Sequence, residues 1–136
     1  MLTNTIAARL SINIVQKSVL SSLAFINNSK ETVYINKING CLNGLIENNV
    51  FAIESEGSPI DYTGVLAKRL RPGPEDVVAL DPGGTIDTIV DLSKAYAFMP
   101  GNHAYIAYYS AFHQFPDRPG YVSLQSNTIS FTYKGE

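Results

Sequence analysis

The sequence predicts an all-β fold, and three observations lead to this class. Apolar and polar residues alternate in several short segments, so that Leu10, Ile12 and Ile14 share one face of an extended chain. Turn-forming pairs such as Asn39-Gly40 interrupt these segments, and no segment sustains the 3.6-residue period of a helix. Short strands joined in this way are typical of a β-sandwich. A closed barrel is the alternative, which the irregular spacing of the turns disfavours.

Five strands are predicted in the first half of the chain, at residues 9–14, 19–26, 32–35, 50–53 and 60–66. The first two follow from alternation, and an asparagine-rich turn comes after the second because asparagine tolerates left-handed backbone. The third is β-branched and aromatic, which favours a strand. The fourth is a short apolar run, and the fifth contains Gly64, where a bulge is expected.

Five more extended segments are predicted in the second half, at residues 75–80, 86–91, 103–109, 121–124 and 128–133. The Asp-Pro-Gly-Gly sequence at residues 81–84 predicts a tight turn, because proline presets φ and glycine accepts a positive φ. Residues 91–96 are too few for an ordinary helix and predict a single turn. Residues 112–121 contain two prolines and predict a loop.

Length and composition predict one domain that covers residues 1–136. Hydrophobic residues make up 45 % of the chain and charged residues 16 %, which is typical of a folded protein. The net charge of −2 is too small to indicate a nucleic acid or an anionic membrane as the partner. The start of the chain shows no signal peptide, so the cytosol is slightly favoured. The single cysteine, Cys41, is expected to be a small, partly buried side chain.

The chain carries no recognisable catalytic or metal-binding motif. Its two histidines, His103 and His113, lie far apart, whereas zinc sites built from neighbouring ligands need a closer spacing. The sequence has no Gly-x-Ser-x-Gly elbow and no phosphate-binding glycine loop. We therefore predict a protein that is not an enzyme and binds no metal or cofactor. A small hydrolase with a triad assembled from distant residues is the alternative.

Two loops are the predicted binding site. Residues 68–74 contain the one basic cluster, which suits an acidic partner surface, and residues 112–120 carry aromatic side chains in a proline-rich context, where exposed apolar contacts are expected. The histidine in the second loop is able to donate a ligand or to sense pH. The predicted contact residues are Lys68, Arg69, Arg71, Phe112, His113 and Phe115.

Two stretches of the chain carry a resemblance to a known family. The first comprises residues 50–53, Gly57, 60–64 and 68–69, and the second comprises residues 79–85, 90–93, 95–96 and 101–105. In order and spacing these segments resemble the non-catalytic N-terminal domain of deuterolysin-like and peptidyl-Lys metalloendopeptidases. The protease domain of that family has a His-Glu-x-x-His zinc helix and a further aspartate ligand, and this sequence contains no such segment.

The resemblance implies an immunoglobulin-like antiparallel β-sandwich, which we expect to have about seven to nine strands. It also implies a binding module that inhibits or chaperones a metallopeptidase, as the family's pro-domain is thought to do. Under this hypothesis Lys68, Arg69 and Arg71 meet acidic groups of the peptidase. Phe112 and Phe115 anchor the contact, and His113 approaches the zinc ion of the partner.

A structural or adhesive module is the alternative function. Residues 105–109 and 128–133 are predicted strands without internal charge, and uncharged sheet edges are able to pair with another chain. The protein is accordingly expected to be a monomer or a homodimer.

Overall fold

The computed structural model describes residues 6–67 and 72–136, and its antiparallel sheets confirm the all-β prediction. The strands are β1 (Ile6–Val15), β2 (Ser18–Asn27), β3 (Val33–Asn36), β4 (Phe51–Ser55), β5 (Ser58–Pro59), β6 (Val77–Leu80), β7 (Thr85–Asp91), β8 (Gly101–Gln114), β9 (Tyr121–Gln125) and β10 (Ile129–Gly135). Short 3₁₀ helices lie at Pro74–Asp76 and Leu92–Lys94. The described residues form ten strands, against an expected seven to nine, because the two-residue β5 counts as a strand and a bulge separates β9 from β10.

The strands form two main sheets and one small one. The first sheet has the order β1-β2-β7, and the second has the order β10-β8-β4-β5 with β9 also paired to β8. Strands β3 and β6 form a two-stranded sheet. Side chains from both main sheets share one core, so the architecture is sandwich-like. The immunoglobulin-like topology stays a prediction.

Tyr109 of β8 lies at the centre of the core. Its ring makes edge-to-face contacts with Phe25 of β2 at 5.5 Å and with Phe51 of β4 at 5.7 Å between centroids. Such aromatic pairs stabilise a core beyond the area they bury. Cys41 is fully buried, more deeply than the partly buried side chain that the sequence predicts, and burial raises the pKa of its thiol to about 12.

The long strand β8 organises the second sheet. One of its edges pairs with β4, and the other pairs with β10 and then with β9. Ala107 pairs with Ile129, whereas Ser110 pairs with Gln125, so residues 126–128 oppose only residues 108–109. One strand therefore has one residue more than the other at this point. This arrangement is a β-bulge, and it bends the strand that carries the extra residue.

The bulge connects the two main sheets through Asn127. The side-chain oxygen of Asn127 accepts a hydrogen bond from the N–H of Leu10 at 2.8 Å, and its nitrogen donates to the C=O of the same residue at 3.0 Å. The amide thereby pairs with the backbone of β1 as a neighbouring strand would. Backbone groups of Leu10 that face away from β2 are satisfied in this way.

The predicted turn at residues 81–84 is confirmed. Gly83 has a φ of 79°, which an L side chain rarely adopts, and the N–H of Gly84 donates to the C=O of Asp81 at 2.8 Å. The turn is fastened to the end of β2, because the N–H of Gly83 donates to the C=O of Asn27 at 2.8 Å.

Three expectations from the sequence are corrected by the structure. Residues 60–66 do not form a strand; they contain only an isolated bridge between Tyr62 and Tyr96. Residues 112–121 are not one loop, because β8 continues to Gln114 and β9 begins at Tyr121. Residues 105–109 are not a sheet edge, because β10 pairs with β8 up to Ala107 on one side and β4 pairs with residues 106–109 on the other.

Replacement of Asn127 by alanine is expected to destabilise the protein. The change removes both hydrogen bonds to Leu10 and leaves a partly buried N–H and C=O without a partner, which costs about 1–3 kcal/mol of the free energy of unfolding. Urea denaturation measures this loss. The matched control Asn13→Ala changes an exposed asparagine of β1 and is expected to cost about 0.5 kcal/mol or less. Equal losses in the two variants would contradict the role of Asn127.

Candidate functional site

The end of β8 presents two adjacent residues to opposite sides of the sheet. Side chains alternate along a strand, so Phe112 points outward and is 52 % exposed, whereas His113 points into the core and is fully buried. Tyr121 of β9 is 58 % exposed and makes an edge-to-face contact with Phe112 at 4.8 Å between ring centroids. Strands β8 and β9 and the loop between them form a hairpin, called the β8–β9 hairpin, or simply the hairpin, below. Its outer face therefore carries an exposed aromatic pair.

The loop between β8 and β9 adds a third aromatic ring. The N–H of Phe115 donates to the C=O of Gly120 at 3.1 Å, which closes the loop. Gly120 has a φ of 109° and packs on the Phe115 ring, where a Cβ would lie 3.4 Å from ring atoms. The guanidinium of Arg118 lies over that ring at 4.4 Å from its centroid, a cation–π contact. The loop thus presents a partly covered ring next to the aromatic pair.

His113 anchors this hairpin from inside the core. Its Nδ1 accepts a hydrogen bond from the backbone N–H of Asn36 at 2.9 Å, so Nδ1 carries no proton and the neutral ring is protonated at Nε2. Nε2 then donates to the hydroxyl of Tyr109 at 2.8 Å, and that hydroxyl donates to the C=O of Asn39 at 2.5 Å. This network joins β8 to β3 and to the segment after β3.

The network keeps His113 neutral and inside the protein. Burial lowers the pKa of His113 to about 4, because the charged ring would lose its hydration. Protonation of Nδ1 would also bring two donors face to face, because the N–H of Asn36 already points at this nitrogen. Burial raises the pKa of Tyr109 well above its ordinary value. In this structure His113 therefore offers no ring nitrogen to the zinc ion of a partner, and its observed role is to position the hairpin.

A groove of about 680 Å³ lies beside the hairpin. Its aromatic lining consists of Phe112, Phe115 and Tyr121, and its amide lining consists of Asn36, Asn39, Asn48 and Gln114. Asp76 and Arg118 are the charged residues that the described part of the chain contributes to it. A concave surface of this size with aromatic walls and a few polar groups is the usual form of a binding site.

Hydrogen bonds within the protein orient the groove amides. Asn39 donates to the C=O of Phe112 at 2.7 Å and accepts from the side chain of Asn48 at 3.1 Å. Asn36 donates to the C=O of Gln114 at 3.2 Å and accepts from the N–H of the same residue at 3.3 Å. The amides therefore have fixed orientations before any ligand binds.

The predicted contact residues are distributed unevenly over this site. Phe112 and Phe115 line the groove, and His113 supports it from below. Lys68, Arg69 and Arg71 lie outside the described residues; Ala67 and Pro72, on either side of them, both line the groove. Pro72, which belongs to the first predicted loop, therefore lies at the same groove as Phe112 and Phe115 of the second.

Sequence reasoning missed the tyrosine and the amides of the groove. Tyr121 was detectable in principle, because a hairpin that pairs Gln114 with Tyr121 places it diagonally across from Phe112 on the same face. Nothing local in the sequence distinguishes Asn36 and Asn39 from ordinary turn asparagines. Their role depends on contacts to β8, which is more than 70 residues away.

Neither a protein-family model nor a curated protein sequence matches this chain. Within residues 6–67 and 72–136, no three His, Cys, Asp or Glu side chains come together in a way that would hold a metal ion. The same residues include no helix with the length and apolarity needed to cross a membrane.

The stability of the protein is expected to fall as pH falls from about 6.5 to about 4. The unfolded histidine has a pKa near 6.5, and the pKa of His113 in the folded protein is about 4. Between these values the unfolded state binds a proton that the folded state does not, so acid favours unfolding, by roughly 3 kcal/mol in total. Urea denaturation at half-unit pH steps measures the slope.

The variant His113→Gln separates this contribution from that of the carboxyl groups. It is expected to be less stable at pH 7.5 but to lose less further stability between pH 6.5 and 4 than the wild type. His103→Gln is the matched control. Between pH 6.5 and 4 this variant should lose as much stability as the wild type does, because it keeps His113. A His113→Gln variant with the wild-type slope would show that His113 does not titrate in this way.

Proposed function

We propose that the protein is a non-catalytic binding module that inhibits or chaperones a zinc metallopeptidase. The observation that carries this proposal is the exposed pair of Phe112 and Tyr121, which a buried hydrogen-bond network holds in place beside a groove. Large exposed aromatic residues are the typical anchors of protein interfaces. The class of partner comes from the resemblance to the N-terminal domain of deuterolysin-like and peptidyl-Lys metalloendopeptidases.

The rigidity of the hairpin supports an inhibitory role. Phe112 belongs to a strand that is paired with β9, and the next residue, His113, is fixed at both ring nitrogens. A binding surface that is already ordered loses little conformational entropy when a partner binds, so more of the contact energy appears as affinity. A rigid hairpin is therefore suited to occupy the cleft of an enzyme.

The basic cluster of Lys68, Arg69 and Arg71 in the sequence supports an acidic partner. The chain has a net charge of −2, so three cations within four residues are a local concentration of positive charge. Positive charges beside a binding surface accelerate encounters with an acidic partner. We assign these residues to the rate of association, and the aromatic residues to the lifetime of the complex.

Inhibition assays with purified deuterolysin-class and peptidyl-Lys-class endopeptidases test this function. The intact chain is expected to slow cleavage of a fluorogenic peptide by at least one of them. The double variant Phe112→Ser/Tyr121→Ser should raise the inhibition constant by about 10–100-fold, because it removes two aromatic anchors. Absence of inhibition at any concentration of the intact chain would refute the inhibitory role, and absence of any effect on refolding of the denatured peptidase would refute the chaperone role.

Two further variants act as controls for the inhibition assay. Ile106→Ser removes an exposed apolar side chain from β8 outside the groove, and it should leave the inhibition constant unchanged. The triple variant Lys68→Ala/Arg69→Ala/Arg71→Ala should slow association and reduce its dependence on salt. If Ile106→Ser weakens inhibition as much as the aromatic double variant, the hairpin is not the contact surface.

Self-association through β10 is a second candidate function. Among the described residues β10 ends its sheet, and residues 128–133 contain no charge that would prevent pairing with another strand. Two copies would then add their β10 edges to each other around a two-fold axis. Light scattering over a concentration series should show the mass rising to twice 14.8 kDa. A constant mass of one chain would contradict this function.

A further inference from the structure

The outer face of the sheet β1-β2-β7 is exposed and slightly concave. Alternate side chains of its strands point into the core, among them Leu10, Leu23 and Val90, which are buried, so the residues between them point outward. A shallow depression of about 750 Å³ lies on this outer face. Ile89 of β7 lines the depression and is 62 % exposed. The face is therefore open to contact with another molecule.

The strand register places two opposite charges in one row across this face. Arg9 of β1 pairs with Ala24 of β2, and Ala24 pairs with Asp87 of β7, so the three side chains point to the same side. The two charged residues lie two strand spacings apart, about 10 Å. Both are exposed, and the ion pairs among the described residues lie elsewhere. Both charges are therefore left for a partner.

Small side chains form the floor between the two charges. Ala24 separates them in their own row, and Ser11 and Ser22 share the neighbouring row with Ile89. Alanine and serine rise little above the backbone, so another sheet can approach this floor and long side chains can lie across it. Facing sheets pack about 10 Å apart, a distance that an arginine and an aspartate span when they point toward each other.

The charge pattern selects one arrangement of two identical faces. A closed pair of copies is related by a twofold axis, which here lies in the plane between the two sheets. An axis perpendicular to the strands places β1 on β1 and β7 on β7, so that no arginine meets an aspartate. An axis parallel to β2 places β1 of one copy on β7 of the other at the same level, so that each Arg9 faces an Asp87. Strands that run in nearly the same direction are also the aligned geometry of packed sheets.

We propose that two copies of this chain pack these outer faces together, with Arg9 of each copy paired to Asp87 of the other. The same axis places Ile89 of one copy opposite Ser11 of the other, so the exposed isoleucine is removed from water. The interface is isologous, and each of these contacts occurs twice in it. The partner that this face fits is therefore a second molecule of the same chain.

The size of the face predicts a weak, reversible dimer. β1 and β2 have ten residues each, so the face is about 33 Å long, and its three strands are about 14 Å wide. Two such faces bury on the order of 1,000 Å² in total, which is near the lower limit for a specific interface. The dimer is expected to dissociate on dilution and in high salt, because salt screens ion pairs near the surface.

The residues that adjoin the undescribed segment 68–71 belong to another surface. Ala67 and Pro72 line the groove and not this depression. Residues 1–5, which precede β1, contain no charged side chain. In the described part of the chain, the charged residues that line the depression are Arg9 and Asp87.

The dimer leaves the candidate site of each copy exposed. Phe112, Phe115 and Tyr121 line the groove and not the depression. Dimerisation does not depend on the peptidase proposed above, but where both hold, each dimer presents two β8–β9 hairpins. Two hairpins on one particle would raise the apparent affinity for a partner that carries two sites.

Sedimentation of the intact chain over a concentration series tests the dimer. The average mass should rise from 14.8 kDa toward twice that value as the concentration reaches about 1 mM, where an interface of this size is populated. Arg9→Glu and Asp87→Lys each place like charges opposite each other at both contacts. Each change should raise the dissociation constant about tenfold or more. A mass that stays at one chain throughout would overturn the inference.

A mixture of the two variants separates this contact from any effect on folding. In a mixed dimer of Arg9→Glu with Asp87→Lys, position 9 of each copy faces an opposite charge at position 87 of the other. The mixture should therefore dimerise with about the affinity of the intact chain, although neither variant does so alone. A loss of stability within either copy cannot be repaired by mixing. A mixture that dimerises no better than its components would show that the two residues do not meet.

Asp61→Lys is the matched control for net charge. It makes the same change at an exposed aspartate outside the depression, and it should leave the dissociation constant unchanged. Equal weakening by Asp61→Lys and Asp87→Lys would mean that net charge alone governs association, and the specific contact would be refuted.

Thr132→Lys distinguishes this dimer from pairing of two β10 edges. The change adds a charge to the middle of β10, which prevents edge pairing, and it should leave a dimer through the outer face of β1-β2-β7 intact. Loss of the dimer in Thr132→Lys together with a wild-type dimer in Arg9→Glu would assign association to the β10 edge and overturn the inference.

Discussion

The hydrogen-bond network of His113 is the constraint on which the rest of the candidate site depends. It extends from the N–H of Asn36 through the imidazole and the hydroxyl of Tyr109 to the C=O of Asn39. Each of its hydrogen bonds has only one possible direction, because the network begins at a backbone N–H, which donates, and ends at a backbone C=O, which accepts. Buried polar groups that are fully satisfied in this way favour a single arrangement of the surrounding strands. The position of Phe112 on the outer face follows from that arrangement.

Asparagine side chains provide the second recurring interaction. Asn127 joins the bulge to β1, and Asn36 joins β3 to the end of β8, in each case through one donor and one acceptor. Aspartate would place a negative charge beside a backbone carbonyl, and serine is too short to span a peptide group. The carboxamide carries a donor and an acceptor on one edge, as a single residue of a neighbouring strand presents its N–H and C=O, so it can close a sandwich where strand pairing ends.

Much of the fold could be predicted from the sequence, because strands and turns have local signals. The alternation in β1 and the proline–glycine turn at residues 81–84 are examples. The candidate site could be predicted only in part, since Phe112 and Phe115 were identified from loop composition. The burial of His113 follows from strand parity with Tyr109, but only once β8 is known to continue to Gln114. That extension depends on pairing with β9, which is a non-local contact.

Side chains of β8 alternate between the core and the outer face, so one strand provides both residues that fix its position and residues that are exposed. Tyr109 and His113 face inward and are held by buried hydrogen bonds, whereas Phe112 and Gln114 face outward and are available for contact. Folding therefore fixes the backbone that carries the exposed residues before a partner arrives. Substitution of the inner residues is therefore expected to lower the stability of the protein, whereas substitution of the outer residues leaves the packing of the core in place. Adjacent residues of one strand therefore divide into an inner face that the core fixes and an outer face whose side chains can change without disturbing that core.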